Sequence, residues 1–332
     1  MQTFAILGTG LTVPQHVVTN AEFDERYGRD VGTFLRERLN IHERRFMATD
    51  EATSDLAIPA AVAALDKAGI AATDLDLIIV ATDTPDQLSP ATAAIVQHRL
   101  GATRAGTFDL NAACAGFVTA VVMADAFLKA DDRRRHALII GAYGMSKFLD
   151  WADFKTATVF ADGAGAVVLG PARTGRGVIA SQLATDGQYH SHMGIYGGGT
   201  RRPLSQKMLN EGWHKLRFVE RIPPEMNVAE WPPLIRALMD RAGGAVNDLQ
   251  RLFFTQINVQ SIRLTMAALS LPESRAHLIM QRFGYTGSAC LPMALADAAQ
   301  SHLLKRGDLI ALVASGGGVA TAGAIVEWDY DT

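Results

Sequence analysis

The stretch PAAVAALDKAGIAATDL, residues 59–75, returns as PLIRALMDRAGGAVNDL at residues 233–249, offset by 174 positions without a gap. Pro59 falls on Pro233, Ala63 on Ala237, Asp66 on Asp240, Gly69 on Gly243 and Asp74 on Asp248. In each copy the apolar spacing predicts an amphipathic helix that stops at the glycine, followed by a short turn and an apolar strand: LDLIIVAT from Leu75, LQRLFFTQ from Leu249. The same offset sets ALII at Ala137–Ile140 on ALVA at Ala311–Ala314, two further buried strands. A register kept from residue 59 to residue 140 marks an internal duplication.

Around this repeat, short apolar runs alternate with helical stretches. Strands are predicted around Phe4–Ile6, Leu77–Ala81, Ala137–Ile140 and Ala166–Leu169, and helices near Ser54–Ala68, Thr92–Leu100 and Gly116–Lys129. That alternation describes an α/β chain with sheets covered on both faces. It divides into two pseudo-symmetric halves, residues 1–172 and 173–332. The connection at about 181–231 departs from the pattern, carrying GGGTRRP at Gly197–Pro203 and IPPE at Ile222–Glu225. It is expected to be an irregular insertion lying over a site.

Composition narrows the function classes. With 332 residues, 48% of them hydrophobic and 20% charged, the chain is long enough for two domains or one large layered core. Thirty-one basic against 34 acidic side chains leave a net charge of −3, so neither nucleic acid nor an anionic membrane is expected as the main partner. Two cysteines make a disulfide framework improbable and suit a reducing compartment. The apolar run Thr3–Val13 has no cationic leader and is too short to span a bilayer, and the expected location is the cytoplasm.

One cysteine stands where chemistry can be done. TFDL predicts a strand, AGFVTAVVMADAFLKA a long buried helix, and NAAC between them sets Cys114 at the helix N-terminus among small residues. There the unpaired amides and the positive end of the macrodipole are expected to lower the thiol pKa and favour the thiolate. The same amides are placed to hold an oxyanion on a bound carbonyl. The plainer reading of a lone cysteine is a small apolar side chain filling a helix–sheet contact.

The surrounding segments decide between the two. DLNAACAGF, FADGAGAVVLG at Phe160–Gly170, FFTQINVQSI at Phe253–Ile262, GYTGSACLP at Gly284–Pro292, ASGGG at Ala314–Gly318 and NIHER at Asn40–Arg44 resemble the thiolase-fold condensing enzymes. The likeness is greatest to β-ketoacyl-acyl-carrier-protein synthase III and covers essentially the whole chain. It implies a duplicated α-β-α-β-α layered fold and acylation of Cys114 from a thioester. It also implies an oxyanion hole from the amides of Cys114 and the Gly316, Gly317 and Gly318 turn, and a homodimer burying the Thr107–Leu110 strand.

Where the family binds an enolate with a His and an Asn, this sequence has Thr255, in Thr255-Gln256-Ile257-Asn258, and Tyr285, in Gly284-Tyr285-Thr286. Losing one such donor typically costs roughly a hundred- to a thousand-fold in rate. A hydroxyl donates at a different reach and without imidazole basicity. The thioester handle is mixed as well. Phe34 and Arg38 match an aromatic and an Arg that grip coenzyme A, whereas Lys147 and Gln260 replace two further arginines. Fewer fixed cations favour a carrier-protein phosphopantetheine or another thioester over a nucleotide. Asn258, Arg201 and Arg202 are further candidate contacts, although either arginine alone reads more simply as a solvated turn.

The expectation is therefore an acyltransferase that loads Cys114 and passes the acyl group to a thiol, hydroxyl or amine, with acyl-coenzyme A or acyl-carrier thioester as substrate and no resident cofactor. The alternatives are a decarboxylative synthase using Thr255 and Tyr285 in an unusual second oxyanion hole, and an inactive partner subunit of a heteromer. Other features read as structural. Gly8-Thr9-Gly10 reads as a turn, lacking the third glycine of a dinucleotide fingerprint. His190 and His192 lack companion ligands for a metal. Cys290 reads as buried and inert, and Ser89 hints at a roomier acyl pocket.

Overall fold

A computed structural model describes residues 2–173, 175–223 and 225–331. The first sheet comprises β1 (Phe4–Thr12), β2 (Leu77–Ala81), β3 (Gly106–Leu110), β4 (Ala137–Gly144) and β5 (Asp162–Pro171), in the order β1-β5-β4-β2-β3. The second comprises β6 (Val178–Thr185), β7 (Leu249–Phe254), β8 (Leu309–Gly316) and β9 (Ala320–Glu327), in the order β7-β8-β9-β6. The strand senses repeat. In the first sheet β1, β5 and β4 run antiparallel in succession and β2 lies parallel to β4. In the second, β6, β9 and β8 run antiparallel and β7 lies parallel to β8.

The helices repeat too. Helix α1 (Thr53–Ala68) covers the first sheet and α3 (Met226–Ala242) the second. Each carries an interior proline at the predicted place and ends on a left-handed glycine, Gly69 at φ +66° and Gly243 at φ +73°. Between the sheets run α2 (Gly116–Lys129) and α4 (Cys290–Gln300), both touching the two sheets. Their starts are again 174 residues apart. A helix covered on both faces must be apolar all round. Cys290 through Ala299 are accordingly all buried. The five layers anticipated from the resemblance are present. Among the described residues, no helix is long and apolar enough to cross a membrane.

Two readings need correction. Gly8 and Gly10 lie inside β1, not in a turn. A Cβ on Gly8 would sit 2.3 Å from the Ala64 carbonyl oxygen, and one on Gly10 would sit 2.2 Å from that of Ala60. Both glycines are there so that α1 can lie against the strand. The irregular insertion is also shorter than expected: residues 181–185 belong to β6, paired with β9 because the second sheet needs its fourth strand, and α3 has begun by Met226. Of the Ile222–Glu225 run, Pro224 lies outside the described residues.

The consequence for function is positional. The C-terminal ends of β2, β3 and β4 from one half, and of β7 and β8 from the other, meet at one place. In open parallel sheets that end is where ligands bind.

Candidate active site

Cys114 lies on the loop between β3 and α2, with the helix starting two residues later at Gly116. The loop is tight, and Ala113 takes φ +46°, a left-handed backbone that a residue with a Cβ adopts at a cost of about 1 kcal/mol or more. Opposite it, the Gly316–Gly318 turn approaches backbone to backbone. A Cβ on Gly316 would stand 2.7 Å from the Ala112 carbonyl oxygen and 2.8 Å from the Cys114 amide nitrogen. Gly318 is at φ +72° and Val319 at φ +50°, so both sides of the site hold strained backbone. The turn foreseen to face the nucleophile therefore does so, and only glycine fits its first position.

The thiol is not the low-pKa group that its sequence position suggests. It is 3% exposed, and burial is the main reason its pKa rises well above the ordinary cysteine value. The negative charge of Asp83 raises it further, and a hydrogen bond from the Tyr285 hydroxyl lowers it in part. A helix terminus contributes roughly 0.3–1 kcal/mol, and removing an unpaired anion from water costs several times that. Burial wins, and the resting group is a thiol.

Thr255 and Tyr285 both reach the site. The Thr255 hydroxyl donates to the Ser315 carbonyl oxygen at 3.3 Å and accepts from the Ser315 amide at 3.0 Å, stapling the ends of β7 and β8. Tyr285 is 1% exposed, packs against Phe160 with ring centroids 5.3 Å apart, and brings its hydroxyl beside Cys114. Cys290 is buried as read, its thiol pushed up to about 12 by burial. Asn258 caps the Val259–Ala268 helix by accepting from the Gln260 amide.

Three cavities run in series through the site. The outer one, about 740 Å³, is lined by Phe34, Leu39, Lys155 and Arg221 among others. It shares Phe218 and Ile257 with a middle cavity of about 190 Å³, which Cys114, Thr255, Asn258 and Tyr285 also line. Cys114 and Met193 in turn are shared with an inner cavity of about 300 Å³, reached by Asp83, Tyr143, His190 and Tyr196. Met193 and Phe218 come from the insertion, which covers the site as its irregularity suggested.

The remaining candidates are placed less centrally. Phe34, 55% exposed, stands at the outer mouth, and Arg38 is exposed on the same turn without lining the cavity. Lys147 donates to the Ala48 and Thr49 carbonyl oxygens, turned away from the cavities. Arg201 is exposed, and Arg202 lies 3.7 Å over the Trp213 ring, packing the insertion. Ser89 is exposed and lines none of the three cavities. His192 meets Glu220 at 3.4 Å, and no group of three metal-ligating side chains occurs among the described residues.

Sequence reasoning missed three residues. Lys155 and Arg221 supply the cations at the outer mouth, and Asp83 supplies a carboxylate beside the thiol. An acidic residue just beyond a buried parallel strand was the available signal for Asp83.

Comparison with known proteins agrees with this geometry. The family profile for 3-oxoacyl-acyl-carrier-protein (ACP) synthase III matches residues 108–187, and its C-terminal profile matches residues 239–328. A β-ketoacyl-acyl-carrier-protein synthase III of Syntrophomonas wolfei is 35% identical over 98% of both chains. An acetoacetyl CoA synthase of a Streptomyces species is 38% identical over 98% of both. The crystal structure of a synthase III from Thermus thermophilus superposes with a TM-score of 0.89 at 34% identity, covering 98% of this chain and 99% of its own.

Proposed function

The chain belongs to the 3-oxoacyl-acyl-carrier-protein synthase III family, and on that premise we propose that it moves an acyl group from a thioester, through Cys114, to a thiol, hydroxyl or amine acceptor without forming a carbon–carbon bond. The observation that carries this reading is that the Thr255 hydroxyl, standing where the family has its His, is already engaged, while Tyr285 in place of the Asn turns its hydroxyl to the nucleophile. Thr255 is bound on both sides by Ser315. Tyr285 is buried with its hydroxyl beside the nucleophile, whose pKa it lowers. An enolate formed by decarboxylation needs preorganised donors at the moment its charge appears, in a site from which water is excluded.

Acyl transfer asks for less. The donor's arm threads the outer and middle cavities, past Phe34 and between Phe218 and Ile257, with Lys155 and Arg221 at the mouth for phosphate oxygens. The Cys114 sulfur adds to the thioester carbon, and the amides of Cys114 and of the Gly316–Gly318 turn receive the oxyanion. Collapse expels the donor thiol, which leaves with the proton that Cys114 gave up. Proton and acyl group trade places between two sulfurs; the raised thiol pKa opposes the exchange, because the thiolate is the attacking species, and the Tyr285 hydroxyl beside the sulfur offsets part of it. The acceptor then repeats the addition on the acyl-cysteine and releases the thiol.

The same premise supports a homodimer. Strand β3 is the open edge of the first sheet, and Phe108 on it is 39% exposed, an uncovered edge that a second copy would close.

Intact-mass measurement after incubation with a panel of acyl-coenzyme A and acyl-carrier thioesters tests the reading. An adduct on Cys114 that is absent from Cys114→Ala and is discharged by an alcohol, amine or thiol acceptor is expected. An adduct confined to Cys290, or none with any donor, would overturn it in favour of a structural partner subunit.

A further inference from the structure

A buried indole has one polar atom to satisfy, and that of Trp231 is satisfied at the active site. Trp231 lies on α3, is fully buried and stacks on Phe254 with ring centroids 5.2 Å apart. The ring belongs to the core between α3 and the second sheet, with Leu234, Ile235 and Val313. Its Nε1 reaches out of that core and donates to the Ser315 hydroxyl at 2.7 Å. Ser315 directly precedes Gly316, whose backbone closes on the nucleophile loop.

Ser315 needs such a partner because β8 outruns its neighbour. Strand β7 ends at Phe254, opposite Val313, and the Thr255 amide makes the last ladder bond, to the Val313 carbonyl oxygen at 3.1 Å. Strand β8 continues to Gly316. On its other side β9 still pairs Ser315 with Thr321 and Gly316 with Ala320. On the β7 side side chains replace the missing strand: the Thr255 hydroxyl engages the Ser315 amide and carbonyl, and Trp231 engages the Ser315 hydroxyl. Met226 and Asn227, about one turn before Trp231 on α3, line the middle cavity. One helix thus carries a wall of that cavity and an anchor of the turn beside the nucleophile.

Resting on the acyl-transfer reading above, we infer that Trp231 is a positioning residue for that reaction: its indole N–H, acting through Ser315, holds the Gly316–Gly318 turn where its amides meet the oxyanion formed at the Cys114 thioester. Donors of this kind act only when they stand about 2.7–3.1 Å from the place where charge develops. A displacement of about 1 Å costs up to a hundredfold in rate. Freed from Trp231, Ser315 keeps its backbone bonds to Thr255 and β9, so the turn loosens without leaving its place. The loss is then of the size that one neutral buried hydrogen bond carries, about five- to tenfold.

The test follows acylation of Cys114 by acetyl-, butyryl- and octanoyl-coenzyme A over a range of donor concentrations, by intact mass, in Trp231→Phe, Ser315→Ala and the double variant. Each single variant is expected to lower the limiting rate about five- to tenfold and to leave the half-saturating concentration unchanged, because the turn meets a charge present only in the transition state. The double variant should be no slower than either single one, since both changes break the same bond. Ser315→Ala breaks it without touching the core, so its limiting rate decides the matter even where Trp231→Phe does not fold. An unchanged limiting rate in Ser315→Ala would overturn the inference. A raised half-saturating concentration at an unchanged limiting rate would make the indole a support of the donor-binding wall and overturn it as well, and so would losses that multiply in the double variant. No adduct on the parent chain with any of the three donors would instead strike the acyl-transfer reading on which the inference rests.

Discussion

Replacing Asp83 by Asn should make the protein more stable above pH 6 and leave its stability unchanged near pH 4. Burial raises the Asp83 pKa from 3.8 to about 6, opposed only by its own amide. At pH 4 the native carboxyl is protonated and the unfolded one about 40% so, and its burial costs well under 1 kcal/mol. As pH rises from 4 to 6 the unfolded chain releases the proton while the native chain holds it, so stability falls. Above pH 6 both are ionised and the loss is complete. A difference of about two pKa units at 1.36 kcal/mol each amounts to roughly 3 kcal/mol. With about 2.1 cal/mol/K of unfolding entropy per residue over a chain this long, that is a rise of about 4 °C in Tm. Asp162, also raised to about 6 by burial, is present in both proteins and cancels in the comparison. Thermal unfolding of the two proteins at pH 4, 6 and 8 is the assay. A Tm difference independent of pH, or a variant less stable than the parent at pH 8, would refute the reasoning that Asp83 is held without a partner.

Gly316→Ala would drive a Cβ to within 3.0 Å of three backbone atoms of the nucleophile loop, and the acylation rate should fall at least a hundredfold by intact mass while Cys114 remains in place. Tyr285→Phe removes the hydrogen bond to the sulfur and should slow acylation about tenfold with the far-ultraviolet circular dichroism unchanged; an unaltered rate would leave Tyr285 a packing residue. Arg221→Ala should raise KM for acyl-coenzyme A several-fold and hold kcat, because a phosphate contact is the same in ground and transition states; an unchanged KM would put the nucleotide elsewhere.

What could be read from the sequence was whatever depends on periodicity or on contiguous motif. The 174-residue repeat was visible because each half must bury the same faces against the same neighbours, and α1 and α3 with their glycine caps came out within a few residues. Cys114 was visible because a strand, a small-residue turn and a buried helix are contiguous around it. The direction of its pKa was not, since the helix terminus is a local property and burial a tertiary one. Asp83 was hidden for the same reason: in ATDTPD it is one of two aspartates in a polar loop, and only packing of Thr84 and Asp86 onto the scaffold turns it inward. Lys155 and Arg221 lie far apart in the chain and meet only at the outer cavity. The engagement of Thr255 with Ser315 joins strand ends 60 residues apart, a pairing that no local pattern announces.

The most direct test is to present the acylated protein with carboxyl-labelled malonyl thioester and count labelled carbon dioxide. With Thr255 held by Ser315 and Tyr285 in place of the family's Asn, no release above the uncatalysed rate and no β-ketoacyl product are predicted, while the acyl group still passes to an alcohol, amine or thiol. Labelled carbon dioxide released together with a β-ketoacyl product, at the turnover of about 1 per second or more usual for enzymes, would contradict the account and make the protein a condensing synthase.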